Sequence, residues 1–173
     1  MAAQNRAVGE WHPDITIKQI DVYDGTGRLC ARRQWDAAGT LISGCDVMIL
    51  KPVGIYREMY RDKHGELPSI ADTATQQILP DHAEIIGYLN NAPAGFDVME
   101  SVKHLFEEDR WIPGGSSLNS DGVWVWRQDS IEYLADQPLE IPADFVNHVR
   151  ANDYTPPAVD EGDTFYDALL HYF

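Results

Sequence analysis

Twenty-eight carboxylates, six histidines and two cysteines are the side chains with which this 173-residue sequence could do chemistry. Their spacing decides which chemistry is open. His12, His64, His82, His104, His148 and His171 are scattered, with no His-x-x-x-His pair and no Cys-x-x-Cys, so no zinc site is written into the chain. Asp160-Glu-Gly-Asp163 lacks the spacing of a calcium-binding loop. It reads instead as the approach to a helix, whose positive end favours acids. Gly114-Gly-Ser-Ser117 is not the Gly-x-Ser-x-Gly nucleophile elbow, and neither Cys30 nor Cys45 has an electropositive context. Both thiols are expected as reduced core residues. Neither a Gly-x-Gly-x-x-Gly nor a Gly-x-x-x-x-Gly-Lys-Ser/Thr run is present, so no nucleotide and no other cofactor is expected. An enzyme remains only as an alternative, with a site assembled by folding from separated residues such as His104, His148 and Asp129.

The carboxylates point elsewhere when they are taken as a field. Against 13 bases they leave a net charge of −15. Residues 1–94 hold 12 acids and 9 bases, net −3, and residues 95–173 hold 16 acids and 4 bases, net −12. Such a surface repels nucleic acid and anionic lipid and draws in cationic partners. Arg32-Arg33 and the Arg57/Arg61 pair are too few for a nucleic-acid footprint. No export signal and no membrane-spanning run is visible, so the expected location is cytoplasmic, without membrane contact.

The elements that must carry these groups are legible in part. A hydrophobic content of 44% and a length of 173 residues suit one folded domain over 1–173, β-rich over 11–60 and helix-rich over 81–173. Tyr23-Asp-Gly-Thr-Gly27-Arg-Leu29 is echoed by Trp35-Asp-Ala-Ala-Gly39-Thr-Leu41, and the Asp and Gly positions predict hairpin turns joining strands at 14–23, 28–35 and 40–51. The same pattern resembles a unit of the YD repeats of bacterial toxin shells, which motivates a third reading as an adaptor of a toxin secretion apparatus. Ile55–Tyr60 reads as a further strand, Lys63–Gly65 as a turn, and Leu67–Asp72 as a loop into a short helix. Asp81 with Glu84 forms a capping-box pattern ahead of Ile85, Ile86 and Leu89. Val98, Val102 and Leu105 recur at helical spacing and predict a helix ending at Glu107-Glu-Asp109. Residues 112–122 read as a loop, Val123-Trp-Val-Trp126 as a short strand, and Asp129 as the cap of a helix bearing Ile131 and Leu134. Pro142 opens a helix with Phe145, Val146 and Val149, and Phe165, Leu169 and Phe173 mark a last one. The fold class expected is α+β: an N-terminal antiparallel β-meander, then a mainly helical C-terminal half with one short Trp-rich strand.

Residues 82–157 carry a resemblance. Ile86-Gly-Tyr-Leu89, Asp121-Gly-Val-Trp-Val-Trp126, Asp129, Tyr133, Ile141-Pro-Ala-Asp-Phe145, His148 and Tyr154 follow one another in an order similar to a group of small bacterial proteins. These share an Asp-Gly-x-Trp-x-Trp strand, an Asp-x-x-x-Tyr helix and a Leu-Pro-x-x-Phe helix start, with Ile141 here in place of the usual Leu. Several look like immunity proteins encoded beside polymorphic toxins. The resemblance implies a bacterial protein that binds and neutralises a cognate toxin. The acidic field adds the expectation of a cationic toxin, met by Glu107, Glu108, Asp109, Asp153, Asp160, Glu161 and Asp163. Trp124 and Trp126 share one face of their strand, most simply as core, and are carried as candidate aromatic contacts because Trp is frequent in binding hot spots.

Overall fold

The computed structural model describes all but residues 1–5, 12–16, 24–28, 36–40, 47 and 61–63; within 6–46 only the Arg32 side chain is described. The chain divides into two compact units, Met1–Ile49 and Leu50–Phe173. The charge divides with them: the first unit holds 6 acids and 5 bases, net −1, the second 22 and 8, net −14.

In the first unit Arg6–Trp11 (β1), Ile17–Tyr23 (β2), Leu29–Trp35 (β3) and Leu41–Asp46 (β4) pair in chain order, each antiparallel to the next. The hairpin turns expected from the Asp and Gly pattern fall on 24–28 and 36–40, outside the described residues. So do the side chains of Cys30 and Cys45.

The second unit corrects the expected fold class. In place of a mainly helical half with one strand, its described residues form a four-stranded mixed sheet, a two-stranded hairpin and four α-helices. The sheet runs in the order Lys51–Pro52 (β5), Trp124–Arg127 (β10), Leu118–Ser120 (β9), Ala94–Phe96 (β6). The β5/β10 pair is parallel, tied by Lys51 N–H to Val123 O at 3.0 Å and Val53 N–H to Val125 O at 2.9 Å. The hairpin joins Ser101–Lys103 (β7) to Trp111–Pro113 (β8). The helices are His82–Asn91 (α1), Gln128–Asp136 (α2), Ala143–Ala151 (α3) and Asp163–Leu170 (α4).

The physical reason for the miss is strand length. Outside the Val123–Trp126 run, strands of two to four residues show no alternation to read, and Val98, Val102 and Leu105 recur at helical spacing by coincidence. Val102 and Leu105 instead reach the core from hairpin backbone, while the Val98 amide donates to Ser117 Oγ at 2.9 Å. Residues 112–122, expected as a loop, contain the end of β8 and all of β9. Ile55–Tyr60, expected as a strand, ends in a 3-10 turn over Arg57–Tyr60, and a second turn spans Ile70–Thr73.

The core forms where β10 is covered by helices. All four β10 residues are buried, as befits an inner strand with neighbours on both edges. Phe145 of α3 meets the Trp124 ring edge-on at 5.2 Å and the Trp126 ring at 6.1 Å, and Trp126 Nε1 donates to Leu89 O of α1 at 3.2 Å. Tyr88, Leu134 and Val149 extend the cluster. Gly54 lets the chain after β5 pass under α2: its φ is +64°, and a Cβ there would lie 2.8 Å from Leu134 Cδ1.

Candidate functional site

The tip of the β7–β8 hairpin, residues 104–110, presents four consecutive exposed side chains, Phe106 to Asp109. The β ladder continues one step beyond Lys103 and Trp111, with His104 N–H donating to Arg110 O at 2.9 Å, and Arg110 N–H returns to Glu107 O at 3.3 Å. Inside this frame the His104 ring is buried, and its Nδ1 accepts the backbone amides of Phe106 at 3.2 Å and Glu107 at 3.1 Å. Phe106 is thereby left 50% exposed and Trp111 59% exposed, at the two ends of Glu107-Glu108-Asp109. The three acids are therefore the turn of a hairpin and not the end of a helix, which corrects the helical reading of 98–109.

The tip is also a charge cluster with one cation at its centre. Arg110 donates to Glu107 at 2.8 Å and, across to α2, to Glu132 at 2.5 Å and Asp136 at 3.4 Å. The Arg110 guanidinium beside it holds the Glu107 carboxyl below the usual carboxylate range. Glu108 and Asp109 are exposed at the turn, so the face that Arg110 organises stays strongly negative.

The remaining candidate acids lie elsewhere. Asp153 follows α3 and is exposed, with a positive φ of 48°; Asp160 and Glu161 precede α4, and Asp163 opens it. Glu161 accepts the Tyr166 hydroxyl at 3.0 Å. These form a second exposed group on different elements from the tip. Trp124 and Trp126, at 5% and 0% exposure, are core side chains.

Beside the hairpin lies an open cleft of about 730 Å³, walled by Trp111, Val102, Tyr133 and Phe173 and floored by Arg127 and Asp129. The polar groups of its floor are committed to structure. Arg127 clasps Asp129 through two bonds of 2.9 and 2.8 Å and stacks on the Tyr60 ring at 5.0 Å. Burial pushes the Asp129 carboxyl up against the pull of that guanidinium. Burial likewise raises the Tyr60 and Tyr133 hydroxyls to about 12, so neither ionises near neutral pH. Tyr60 donates to Tyr172 O at 2.5 Å, and Tyr133 accepts the Leu105 amide at 3.1 Å. Glu58 accepts the Ile70 amide and the Ser69 hydroxyl, holding the second 3-10 turn.

The three residues considered for an assembled enzyme site join separate networks. His104 bonds to its own turn and Asp129 to Arg127. His148 Nε2 lies 2.9 Å from Asp121 Oδ2, which also accepts the Tyr88 hydroxyl at 2.7 Å. Asp121 Oδ1 accepts the Val123 and Trp124 amides at 2.9 and 2.7 Å. One buried carboxylate thus pins α1, α3 and the turn into β10. Among the described residues no three His, Cys, Asp or Glu side chains gather into a metal-binding group, and no helix is long and apolar enough to cross a membrane.

Compared with known proteins, the chain matches no family model, no curated protein and no solved structure. The site has to be read from its own geometry.

On that geometry, sequence reasoning named the acids of the tip but missed Phe106, Trp111, Arg110, Glu132 and Asp136. The signal was present in Phe106-Glu-Glu-Asp-Arg-Trp111: an acidic run bracketed by aromatics, suited to a turn between strands that lack hydrophobic alternation. Asp81 was read as a helix cap. Its side chain makes no cap bond and instead accepts Arg150 Nε and Nη2 at 2.7 Å each and the Tyr154 hydroxyl at 2.7 Å, tying α1 to the end of α3.

Proposed function

We propose that this chain is an immunity-type protein that binds and neutralises a cognate bacterial toxin domain in the cytoplasm of the producing cell, with the β7–β8 tip as its contact surface. The observation that carries the reading is the pairing of two half-exposed aromatic rings, Phe106 and Trp111, with Glu107, Glu108 and Asp109 on one short hairpin. Exposed aromatics of this kind are the side chains that anchor protein interfaces, and a surrounding field of one sign steers encounter with a partner of the other. The net −14 of the second unit supplies that field and favours a cationic toxin, for which the acids would stand in place of a polyanionic substrate. The sequence pattern over residues 82–157 supports the immunity class independently of charge.

The test is rescue and kinetics together. Co-expression with the product of the adjacent toxin gene should protect cells, and Glu108→Lys with Asp109→Lys should remove the protection while leaving the fold intact. The on-rate to that toxin should fall steeply between about 0.05 and about 0.5 M salt, as the Debye length shrinks to a few Å. Absence of rescue by the wild-type chain rejects immunity; a salt-independent on-rate rejects the electrostatic part.

A further inference from the structure

The tip contains a group whose role its surface chemistry leaves unexplained. His104 is buried at the base of the loop, and its ring nitrogens are used unequally. Nδ1 accepts two backbone amides, Phe106 and Glu107, which are the first residues the tip presents. An atom that accepts from two N–H groups carries no proton, so the proton of the neutral ring resides on Nε2. Nε2 is buried and without a hydrogen-bond partner. The ring is therefore a neutral acceptor holding the loop from inside. It is wedged against the Tyr133 ring of α2 at 4.9 Å and the Phe106 ring at 6.0 Å.

We propose that His104 is the positioning residue of the tip and makes its presentation pH-dependent: the neutral ring fixes Phe106 and the acids in place, and protonation at Nδ1 releases them. This rests on the reading of the tip as the contact surface. Protonation turns the acceptor of two amides into a donor that faces two donors, so both bonds are lost at once. The groups facing the ring set the balance. Glu107 Oε1, on the hairpin itself, lies 3.8 Å from Nδ1 and is held by Arg110, which Glu132 and Asp136 of α2 also engage. From α2 the ring meets the Tyr133 phenol, a neutral group. The release is local, because the core around Trp126 and Phe145 uses none of these atoms.

The experiment reads the latch directly by hydrogen exchange of the Phe106 and Glu107 amides at about pH 7.5 and about pH 5, across the range where histidine titrates, corrected for intrinsic exchange. Protection should drop at least about tenfold at the lower pH while core amides stay protected. His104→Asn supplies an oxygen that can accept amides two and three residues ahead without titrating. It should keep the protection and remove its pH dependence. A pH response unchanged in His104→Asn, or wild-type protection that is flat while the His104 ring titrates, overturns the proposal. If His104→Asn does not fold, the wild-type exchange and ring titration decide alone. A parallel arm measures binding of a poly-lysine peptide at both pH values. Loss of binding in step with the latch supports the proposal; a working latch with unaltered binding upholds His104's role and rejects the tip as the cationic contact.

Discussion

Replacing Asp121 by alanine should strongly destabilise the second unit. Four donors converge on this carboxylate: the Val123 and Trp124 amides on Oδ1, and the Tyr88 hydroxyl and His148 Nε2 on Oδ2. Two of them, the Trp124 amide and the Tyr88 hydroxyl, make buried bonds, and alanine leaves both without a partner at about 1–3 kcal/mol each. The Val123 amide and the half-buried His148 ring can recover water, so each adds less than about 1 kcal/mol. The total is about 4 kcal/mol, within the range reserved for broken buried networks. With a urea slope of about 1.5 kcal/mol/M, the unfolding midpoint should fall by about 2–3 M without a change of slope. Asp121→Asn separates the two oxygens. Its remaining oxygen still accepts the two amides, while its NH₂ obliges Tyr88 and His148 to act as acceptors, so its cost should be only about 1 kcal/mol. If Asp121→Ala moves the midpoint by less than about 0.5 M at constant slope, or costs no more than Asp121→Asn, the carboxylate does not join the helices to the turn as argued.

The buried Arg127–Asp129 pair predicts a non-additive response. Arg127→Met or Asp129→Leu alone should cost about 3–5 kcal/mol by stranding a charge, and the double variant should recover most of that in denaturant unfolding. Acid stability should depend on Asp81, whose carboxyl Arg150 and Tyr154 hold well below the usual range. Its contribution is complete above the unfolded value of about 3.9 and is lost as pH falls through the lower folded value. Asp81→Asn should therefore flatten the pH dependence of the urea midpoint below about pH 4, and an unaltered profile would remove Asp81 from the acid transition. Gly115→Ala would place a Cβ 2.3 Å from Val102 Cγ2, costing about 1–3 kcal/mol. Combining it with Val102→Ala should restore part of the loss in thermal melts, and a neutral Gly115→Ala would mean the hairpin base yields freely.

Several of the residues quoted for the resemblance over 82–157 lie in the core of the second unit. Asp121, Trp124, Trp126, Phe145 and His148 are joined to one another or to α1 by the contacts above, and so hold β10, α1 and α3 together. Phe106 to Trp111, the contact surface proposed above, lies outside these positions.

The sequence by itself determined which half of the chain carries the charge, which chemistries lack their residues, and where α1, α2, α3 and α4 run. These follow from composition, from motif spacing, and from apolar residues recurring over two or more turns. Only the tertiary structure decided the rest. Apart from β10, read from Val123–Trp126, the strands described in the second unit are too short for alternation to register, and their pairings, Lys51 with Trp124 and Ala94 with Asn119, join residues distant in the chain. The partners of Asp81, Asp121 and Asp129 were equally hidden, because capping and turn formation account for such residues locally. What selected Arg150, Tyr88 and His148 was the packing of helices on β10. The acidic run at 107–109 was visible in the sequence as charge; its place at the exposed turn of a hairpin, between two aromatic rings, comes from folding.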